Sequence, residues 1–426
     1  MKQRILLIAL FIVTVTLSAQ SNKTINPHQE IINQTDEIYN DLVNIRRDLH
    51  MHPEVSKQEK RTSKVVADYL KGLGLEVKTN IGGNGVVGIL KGGKKGKKIA
   101  WRADMDAIKT NAPDLVDFKS KNEGVRHICG HDVHTTIGLG IANILSRQKE
   151  NIEGTVYFIF QPAEETLTGA KDMINDGLFD IIKPDEIYGL HIGPEKVGTI
   201  NFKANELFAY QRSLEVKFKA SANENELENF MNTILKGYER NPLKGSPLDI
   251  INSISDPKKG VASKETIFKD YFFVESTKLS KAQNTLFFNA TFFETNAQNT
   301  REIPVKIKEQ IRNSKFKDSF MSIGYTRAFA TPINDPELTR IAKHTADNFY
   351  EKDMFNPLYG QIPYFGEDFI FYQQKVPGVF FFLGASNIEK GINAMPHSPN
   401  FVVDEKVIKY GVQCFASLIF ERVNSK

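Results

Sequence analysis

The chain has 426 residues, which exceeds the usual size of one domain and predicts two or three domains with ample length for a large core. Its formal charge is +4, from 55 Lys and Arg against 51 Asp and Glu, and this balance gives no reason to expect nucleic acid as a partner. Cys129 and Cys414 are the only cysteines, so a disulfide framework is not expected.

The N-terminus is typical of a secretory signal peptide that covers residues 1–19. Lys2 and Arg4 precede an apolar run over residues 5–17, and small residues follow it. The run is shorter than the roughly 20 residues of a membrane span, and no later segment is apolar enough to span. An uncleaved membrane anchor is the alternative. We therefore expect a secreted or periplasmic protein with no membrane span after signal removal.

Strands and helices alternate in the first half of the chain, which predicts a layered α/β domain. Apolar spacing predicts helices over 35–49, 62–73, 135–147 and 169–176, and strands over 75–79, 85–90, 98–102 and 155–160. The lysines and glycines between residues 91 and 98 predict a solvated hairpin tip rather than a basic patch for a partner.

The pattern changes near residue 208. Residues 213–330 read strand, helix, two strands, helix and strand, which is a compact α+β unit of the ferredoxin-like, split βαβ type. The α/β pattern resumes after residue 334. The sequence thus predicts a layered α/β catalytic domain in two parts, 24–208 and 331–426, interrupted by an inserted domain at 209–330.

Metal-capable side chains follow apolar runs at four places along the α/β parts. They are Cys129 and His131 in HICGHDVH, Glu164 and Glu165 after TVYFIF, His191 after EIYGL, and His397 in MPHSPNF. Catalytic groups gather at the carboxyl ends of strands in open α/β folds, so these side chains can converge on one crevice. Taken one at a time, each histidine is more simply interpreted as a structural residue, and the two glutamates are more simply interpreted as a solvated pair. Jointly, five N, O and S ligands favour two adjacent divalent ions.

These motifs resemble a known family. The runs RRDLHMHPE, RADMDA, HICGHDVH, FQPAEE, GLHIGP, GEDFIFYQQKVPGVFFFLGA and PHSPNF are similar, in this order, to metal-dependent amidohydrolases. That family includes hippurate hydrolase, indole-acetyl-amino-acid hydrolases and N-acyl-amino-acid amidohydrolases, and it is related to the aminoacylases and dinuclear carboxypeptidases. The resemblance covers about residues 36–208 and 331–423, while the inserted domain matches in size and pattern only.

The resemblance implies a reaction and a role for each motif residue. It implies that two divalent ions, manganese or zinc, are bound by five residues: Cys129, His131, Glu165, His191 and His397. Glu164 would be the general base that helps to hydrolyse the amide bond of an N-acyl amino acid or small peptide.

Other motif residues would support the ligands without binding an ion. These are Asp104, Asp132 and His134, with Arg102 neutralising one of the carboxylates. His127 is interpreted as structural, and His50 and His52 match the family without a role. The resemblance also implies a homodimer that forms through the inserted domain.

The inserted domain departs from the family pattern. Where members carry a Gly-Gly-His-Ala motif the chain reads KASANENELENF, and no histidine occurs between His191 and His344. Where members carry a Gly-Thr-Val-Arg run it reads FFNATFFETN, and RADMDA continues as IKTNAPDL instead of Leu-Pro and a glutamate. Loss of one oxyanion-stabilising group costs about 10²–10³ in rate.

Three hypotheses follow from this departure. The first is an exported amidohydrolase in which Arg212, Arg327 or other residues replace the missing groups. The second is a family member that acts on another bond or on a bulkier, apolar substrate, motivated by aromatic residues at 271–273, 287–288 and 292–293, although a packed sheet face explains these more simply. The third is a catalytically weak protein that binds metal, and binds a ligand or partner through the inserted domain.

Overall fold

The structure is a computed structural model that describes residues 26–329, 331–349 and 354–425, without the side chain of Asn348. The predicted signal peptide lies outside the described residues. The helices are α1 (Pro27–Met51), α2 (Lys60–Gly72), α3 (His131–Arg147), α4 (Gly169–Asn175), α5 (Leu178–Ile181), α6 (Glu224–Lys236), α7 (Pro247–Ser253), α8 (Ala297–Arg312), α9 (Pro336–Phe349), α10 (Ile370–Gln373) and α11 (Lys406–Asn424).

The strands belong to one large sheet, one smaller sheet and two short pairs. They are β1 (Glu76–Ile81), β2 (Gly85–Lys91), β3 (Lys94–Asp104), β4 (Ile108–Lys109), β5 (Val125–Arg126), β6 (Glu153–Gln161), β7 (Glu186–Lys196), β8 (Ile200–Phe202), β9 (Asn205–Glu206), β10 (Tyr210–Lys219), β11 (Phe272–Ala282), β12 (Thr285–Glu294), β13 (Phe320–Ala328), β14 (Ile333–Asn334), β15 (Phe355–Pro357) and β16 (Gly378–Ser386).

The large sheet has eight strands in the order β1-β2-β6-β3-β7-β16-β8-β15. Its central strands β6, β3, β7 and β16 run parallel, so their carboxyl ends meet at one edge of the sheet. Val156, Phe158 and Phe160 of β6 pack with α1, α3 and α11 on one face, whereas Tyr157 and Ile159 face a second core around α4 and α10. Helices cover both faces, so the predicted layered α/β fold is confirmed.

The connection between β2 and β3 differs from the predicted hairpin. The two strands are not neighbours in the sheet, because β6 lies between them, antiparallel to β2 and parallel to β3. Gly92 and Gly93 donate backbone hydrogen bonds to Gly154 and Ile152, next to the start of β6. The hairpin prediction was therefore wrong, since a short apolar run does not specify its neighbour in a sheet.

The inserted α+β unit is confirmed. Its antiparallel sheet has the order β11-β12-β10-β13, and α6 and α8 cover one face through a separate apolar core. Phe272, Phe288 and Phe292 are buried in that core, so a packed sheet face explains these aromatic residues. Strand β13 lies at an edge and is largely exposed. The exact domain boundaries stay predictions.

A segment that the sequence left unassigned joins the inserted unit to the catalytic part. We call residues 241–270, which lie between α6 and β11, the cap segment. Val261 and Phe268 of this segment accept backbone hydrogen bonds from Tyr359 (2.7 Å) and Gln361 (2.8 Å). Phe268 is fully buried. A Cβ added at Gly360 would lie only 2.6 Å from the Cβ of Phe268, so only glycine fits at position 360. The cap segment is thus fixed to the wall of the catalytic part.

No helix among residues 26–329, 331–349 and 354–425 combines the length and the apolar character that crossing a membrane requires. Both cysteines are buried and free, with Cys414 inside α11.

We expect Phe158→Ala to lower the free energy of unfolding by about 3–5 kcal/mol, because the substitution removes a fully buried ring at the centre of the large sheet. Phe371→Ala is the matched control, since Phe371 is only partly buried under Lys171, and it should cost at most about 2 kcal/mol. Urea denaturation of both variants measures the difference. Equal losses would contradict the position of the core.

Candidate metal centre

The site lies where the parallel strands of the large sheet end. Asp104 closes β3, the glutamate pair follows β6, and His191 lies on β7 two residues beyond Gly189, the last residue paired with β3. His191 is therefore inside a strand that extends past its neighbour, not at the end of a strand as predicted. His131 is the first residue of α3, so the motif HICGHDVH ends in the first turn of a helix rather than in a loop.

Cys129 lies between two histidines. Its Sγ is 3.2 Å from Nε2 of His191 and 3.1 Å from Nε2 of His397, and the same nitrogen of His397 is 3.4 Å from Oε1 of Glu165. His397 has a positive φ of 61°, an uncommon conformation that turns its ring toward the cysteine from the loop after β16. Four segments that are remote in sequence thus bring thiol, imidazole and carboxylate to one point.

A second set of donors surrounds His131. Its Nε2 is 3.8 Å from Oε2 of Glu164 and 3.8 Å from Oε1 of Glu165. Both Nε2 of His131 and Oε1 of Glu165 are buried without a hydrogen-bond partner among the described residues. Buried polar atoms are normally paired, so these orphaned atoms mark a place that a cation can fill. The mixed N, O and S donors suit divalent transition metals.

The two glutamates approach this place together because the chain turns sharply after β6. Ala163 and Leu167 have positive φ values of 56° and 55°. The backbone N–H groups of Glu164 and Glu165 both donate to the carboxylate of Asp106, at 3.1 and 3.0 Å. The turn places both carboxylates on the same side of the chain, each with an oxygen 3.8 Å from Nε2 of His131.

Asp106 is a supporting residue that the sequence analysis missed. It is fully buried, and besides the two glutamate N–H groups it pairs with Nδ1 of His131 at 3.2 Å and accepts a hydrogen bond from Ser56 at 2.6 Å. One carboxylate therefore orients an imidazole and the glutamate turn. The motif RADMDA could have indicated this role, because residues two positions apart in an extended segment, such as Asp104 and Asp106, point to the same side of the chain.

Asp104 orients His134, and a backbone carbonyl orients His191. His134 Nδ1 donates to Asp104 at 2.7 Å, and His134 Nε2 accepts from the backbone N–H of Ile192 at 2.9 Å, so both ring nitrogens are occupied. His191 Nδ1 donates to the carbonyl of Ile192 at 2.7 Å, which leaves its Nε2 free to face Cys129. A carboxylate or carbonyl behind an imidazole fixes its tautomer and orientation.

Arg102 pairs with three carboxylates, whereas the sequence suggested that it would neutralise one. The buried guanidinium lies 2.6 Å from Asp104, 3.0 Å from Glu367 and 3.0 Å from Asp368. Burial raises the pKa of Glu367 to about 8 and that of Asp368 to about 6, although Arg102 opposes both shifts. The sequence analysis also missed Glu367 and Asp368. The pattern that could have identified them is the adjacent acid pair before an apolar run in GEDFIF.

Asp132 faces away from the donors. It pairs with Arg46 at 2.8 Å and with His50 at 2.9 Å, behind the first turn of α3. Arg46 and His50 hold the pKa of Asp132 well below its ordinary value, against the effect of burial. Burial lowers the pKa of His127 to about 4, so that ring is neutral, and it is not among the clustered donors of the described residues. His52 bonds the carbonyl of Asp48.

Negative charge exceeds positive charge among the buried groups of the site. Burial disfavours a charged His131, but the carboxylates of Asp104 and Asp106 outweigh it and raise the pKa of His131 to about 10. Burial and Glu165 also raise the pKa of the Cys129 thiol. Such a site is complementary to cations.

The donors open into a cavity of about 330 Å³. Cys129, Glu164, Glu165, His191 and His397 lie on its wall, so the structure brings together the predicted general base and four of the five predicted ligands there, with His131 directly behind. The rest of the wall is mostly aromatic and aliphatic.

Comparison with known proteins finds relatives that match most of the chain. The family described as Peptidase family M20/M25/M40 matches residues 100–421. Thermostable carboxypeptidase 2 of Saccharolobus solfataricus is 31% identical over 411 residues, which cover 93% of this chain and 99% of the relative. N-acetylcysteine deacetylase of Bacillus subtilis is 29% identical, over 88% of this chain and 95% of the relative. The solved structure of Bacillus subtilis YXEP protein, described as a dinuclear metal binding peptidase, superposes with a TM-score of 0.73 at 25% identity, covering 92% and 99% of the two chains.

We expect Asp106→Asn to weaken binding of Zn²⁺ about 10–100-fold, because an amide cannot accept all the hydrogen bonds that orient His131 and the glutamate turn. Ser56→Ala removes only one donor to Asp106 and is the control. Competition titration with a chelator measures both affinities. Unchanged affinity in folded Asp106→Asn protein would contradict the positioning role.

We expect the affinity of the metal-free protein for Zn²⁺ to increase as pH rises from 6 to 9. His131, with its pKa raised to about 10, and the Cys129 thiol, with its pKa raised, keep their protons in this range and must release them when an ion binds. Affinity should increase up to about tenfold per pH unit for each proton released. Calorimetry in buffers of different ionisation enthalpy counts the protons, and binding without proton release would contradict the expectation.

Proposed function

Because the chain belongs to peptidase family M20/M25/M40, we propose that it is an exported, two-metal hydrolase that cleaves the amide bond of an N-acyl amino acid or small peptide. Membership makes it a hydrolase of amide C–N bonds, as the sequence predicted. The observation that carries the proposal is the convergence of the Cys129, Glu165 and His397 donors with the orphaned Nε2 of His131.

Five residues would hold the two divalent ions, manganese or zinc. They are Cys129, His131, Glu165, His191 and His397. Bound there, the ions would polarise the substrate carbonyl and make a water molecule more acidic. The pairs Asp106–His131 and Asp104–His134 keep the imidazoles oriented, and Arg102 keeps Asp104 in place.

Glu164 is the proposed general base. Burial and the carboxylates of Glu367 and Asp368 raise its pKa, which suits a group that must both take up and release a proton near neutral pH. Glu164 takes a proton from the attacking water as the oxygen bonds to the carbonyl carbon. It then gives that proton to the amine nitrogen as the C–N bond breaks. The products are a carboxylic acid and a free amine.

Two further parts of the proposal come from the sequence. Export depends on residues 1–19, which lie outside the described residues. Homodimerisation through the inserted domain is compatible with the exposed edge strand β13.

A second candidate function is favoured by the inserted domain. Neither arginine that was suggested as a replacement for the missing groups lines the cavity. Arg212 donates to the carbonyls of Gln211 and Phe329, and Arg327 lies over the ring of Phe329 at 4.0 Å. With neither arginine among the described lining residues, a metal-binding protein with weak turnover is the alternative.

We expect Glu164→Gln to lower turnover by about 10²–10⁴-fold without changing the number of bound ions, because the amide cannot carry the proton from water to amine. The assay measures amine release from N-acetyl, N-benzoyl and dipeptide substrates by manganese- or zinc-loaded protein, with metal content quantified. Glu389→Gln, an exposed change outside the described cavity lining, is the control. Undiminished turnover in Glu164→Gln would refute the role of the base, and two bound ions without wild-type turnover would favour the second candidate.

A further inference from the structure

A buried carboxylate outside the clustered donors contacts the turn that carries the general base. Glu59 lies between α1 and α2, is 0% exposed, and forms no ion pair within the described part of the chain. Its Oε1 accepts hydrogen bonds from the backbone N–H groups of Lys57 and Ala163, both at 2.8 Å, and its Oε2 accepts one from the side chain of Asn84 at 2.9 Å. Burial raises the pKa of Glu59, and the hydrogen bonds from Asn84 and Ala163 oppose that shift. These hydrogen bonds therefore compensate for burying the carboxylate.

The position of Glu59 in the fold usually gives a side chain a different role. Glu59 is the N-cap residue of α2, where a side chain commonly bonds the first free N–H groups of the helix, yet no such bond is present among the described residues. Glu54 makes these bonds instead, because its carboxylate accepts from the N–H groups of Arg61 and Thr62 at 3.0 and 2.8 Å. The start of α2 is thus satisfied without Glu59, whose side chain is directed to the turn after β6.

Glu59 restrains the residue on which this turn depends. Ala163 has a positive φ of 56°, which is uncommon for residues other than glycine. Its N–H donates to Glu59, and its carbonyl accepts from the N–H of Gly169 at 3.1 Å. A Cβ added at Gly169 would lie 1.6 Å from the carbonyl oxygen of Pro162, so only glycine permits this closure. Ala163 is therefore restrained on both sides, directly before Glu164.

Two carboxylates divide the three consecutive N–H groups of the turn. Glu59 binds the first, and Asp106 binds the second and third, which belong to Glu164 and Glu165. Asp106 also contacts His131, a candidate metal ligand, whereas none of the described partners of Glu59 is a metal ligand. Loss of Asp106 should thus disturb the metal donors, and loss of Glu59 should disturb the backbone that leads to Glu164.

Resting on the proposed role of Glu164 as general base, we propose that Glu59 is a positioning residue for this base. By accepting the N–H of Ala163, it maintains the backbone conformation that places an oxygen of Glu164 3.8 Å from Nε2 of His131. Without that acceptor the N–H would be buried and unpaired, and the turn would relax. A displacement of about 1 Å in a catalytic group can cost roughly 10²-fold in rate, so a small relaxation is sufficient.

Glu59→Leu tests the proposal, because it removes the acceptor and leaves little room for water in its place. With manganese- or zinc-loaded protein and the amide substrate that the wild type hydrolyses fastest, we expect kcat to decrease about 10–100-fold. KM, and the affinity for Zn²⁺ measured by chelator competition, should stay within about threefold of the wild type, since the described contacts of Glu59 include no metal ligand. Glu59→Gln keeps an oxygen that can accept from Ala163, so it should restore most of kcat.

Glu54→Leu is the matched control for stability. Glu54 also accepts three hydrogen bonds in this loop, from the N–H of Arg61 and from the N–H and hydroxyl of Thr62, and none of them comes from the turn after β6. Its loss should lower the midpoint of thermal unfolding, as loss of Glu59 does, and leave kcat unchanged. If Glu59→Leu does not fold, Glu59→Asp withdraws the acceptor by one methylene and keeps the charge.

Hydrogen exchange gives a readout that needs no turnover. In metal-loaded Glu59→Leu protein the amide of Ala163 should exchange at least about tenfold faster than in the wild type, because its acceptor is gone. Glu54→Leu should leave this amide protected. Mass spectrometry of a peptide that covers residues 161–168 measures the exchange in each protein.

Three outcomes would overturn the positioning role. Unchanged kcat in folded, metal-loaded Glu59→Leu protein is the first, and an equal loss of kcat in Glu54→Leu is the second, since the effect would then be one of stability. The third is a Zn²⁺ affinity that falls together with kcat, which would assign Glu59 to the metal centre. Absence of turnover in the wild type would instead refute the proposed hydrolysis, and the exchange of the Ala163 amide would then decide whether Glu59 holds the turn.

Discussion

The buried carboxylates at the edge of the large sheet are the constraint on which the rest of the site depends. Asp104, Asp106, Glu164, Glu367 and Asp368 are each at most 5% exposed, and Arg102 supplies the fully buried guanidinium that faces three of them. Burying so much like charge is unfavourable unless cations compensate for it. The fold concentrates this charge where parallel strands end, and in doing so it prepares a place for positive charge that the protein does not itself supply in full.

Asp104 and Asp106 each orient one histidine of the site through a hydrogen bond. Asp106 connects the turn after β6 to His131, and Asp104 connects β3 to His134, which in turn accepts from the backbone of β7. These contacts join consecutive layers of the domain, so the orientation of the donors depends on the packing of the whole sheet rather than on one loop. Family membership and this geometry agree on hydrolysis of an amide bond.

The inserted unit contributes to the cavity through the cap segment rather than through its antiparallel sheet. The aromatic residues of its strands are largely occupied in the core under α6 and α8, while the cap segment reaches the catalytic part. Tyr271 donates from its hydroxyl to the carbonyl of Gln361, next to the residues that lead to Tyr364 and Phe365 on the cavity wall. The chemical character of the pocket therefore depends on contacts between the inserted unit and the catalytic part.

By itself, the sequence determined the alternation of strands and helices, the inserted α+β unit and the chemical identity of the clustered donors, because periodicity and motif chemistry are properties of neighbouring residues. The tertiary structure alone decided how those donors meet. Cys129 and His397 are 268 positions apart in the chain yet their side chains lie 3.1 Å apart, and the positive φ at Ala163 turns both glutamates to one side. The order of the strands in the sheet, the supporting role of Asp106 and the position of the cap segment on the cavity wall likewise depend on contacts between residues far apart in the chain. The local pattern is the same whichever of these contacts forms, so it cannot distinguish between them.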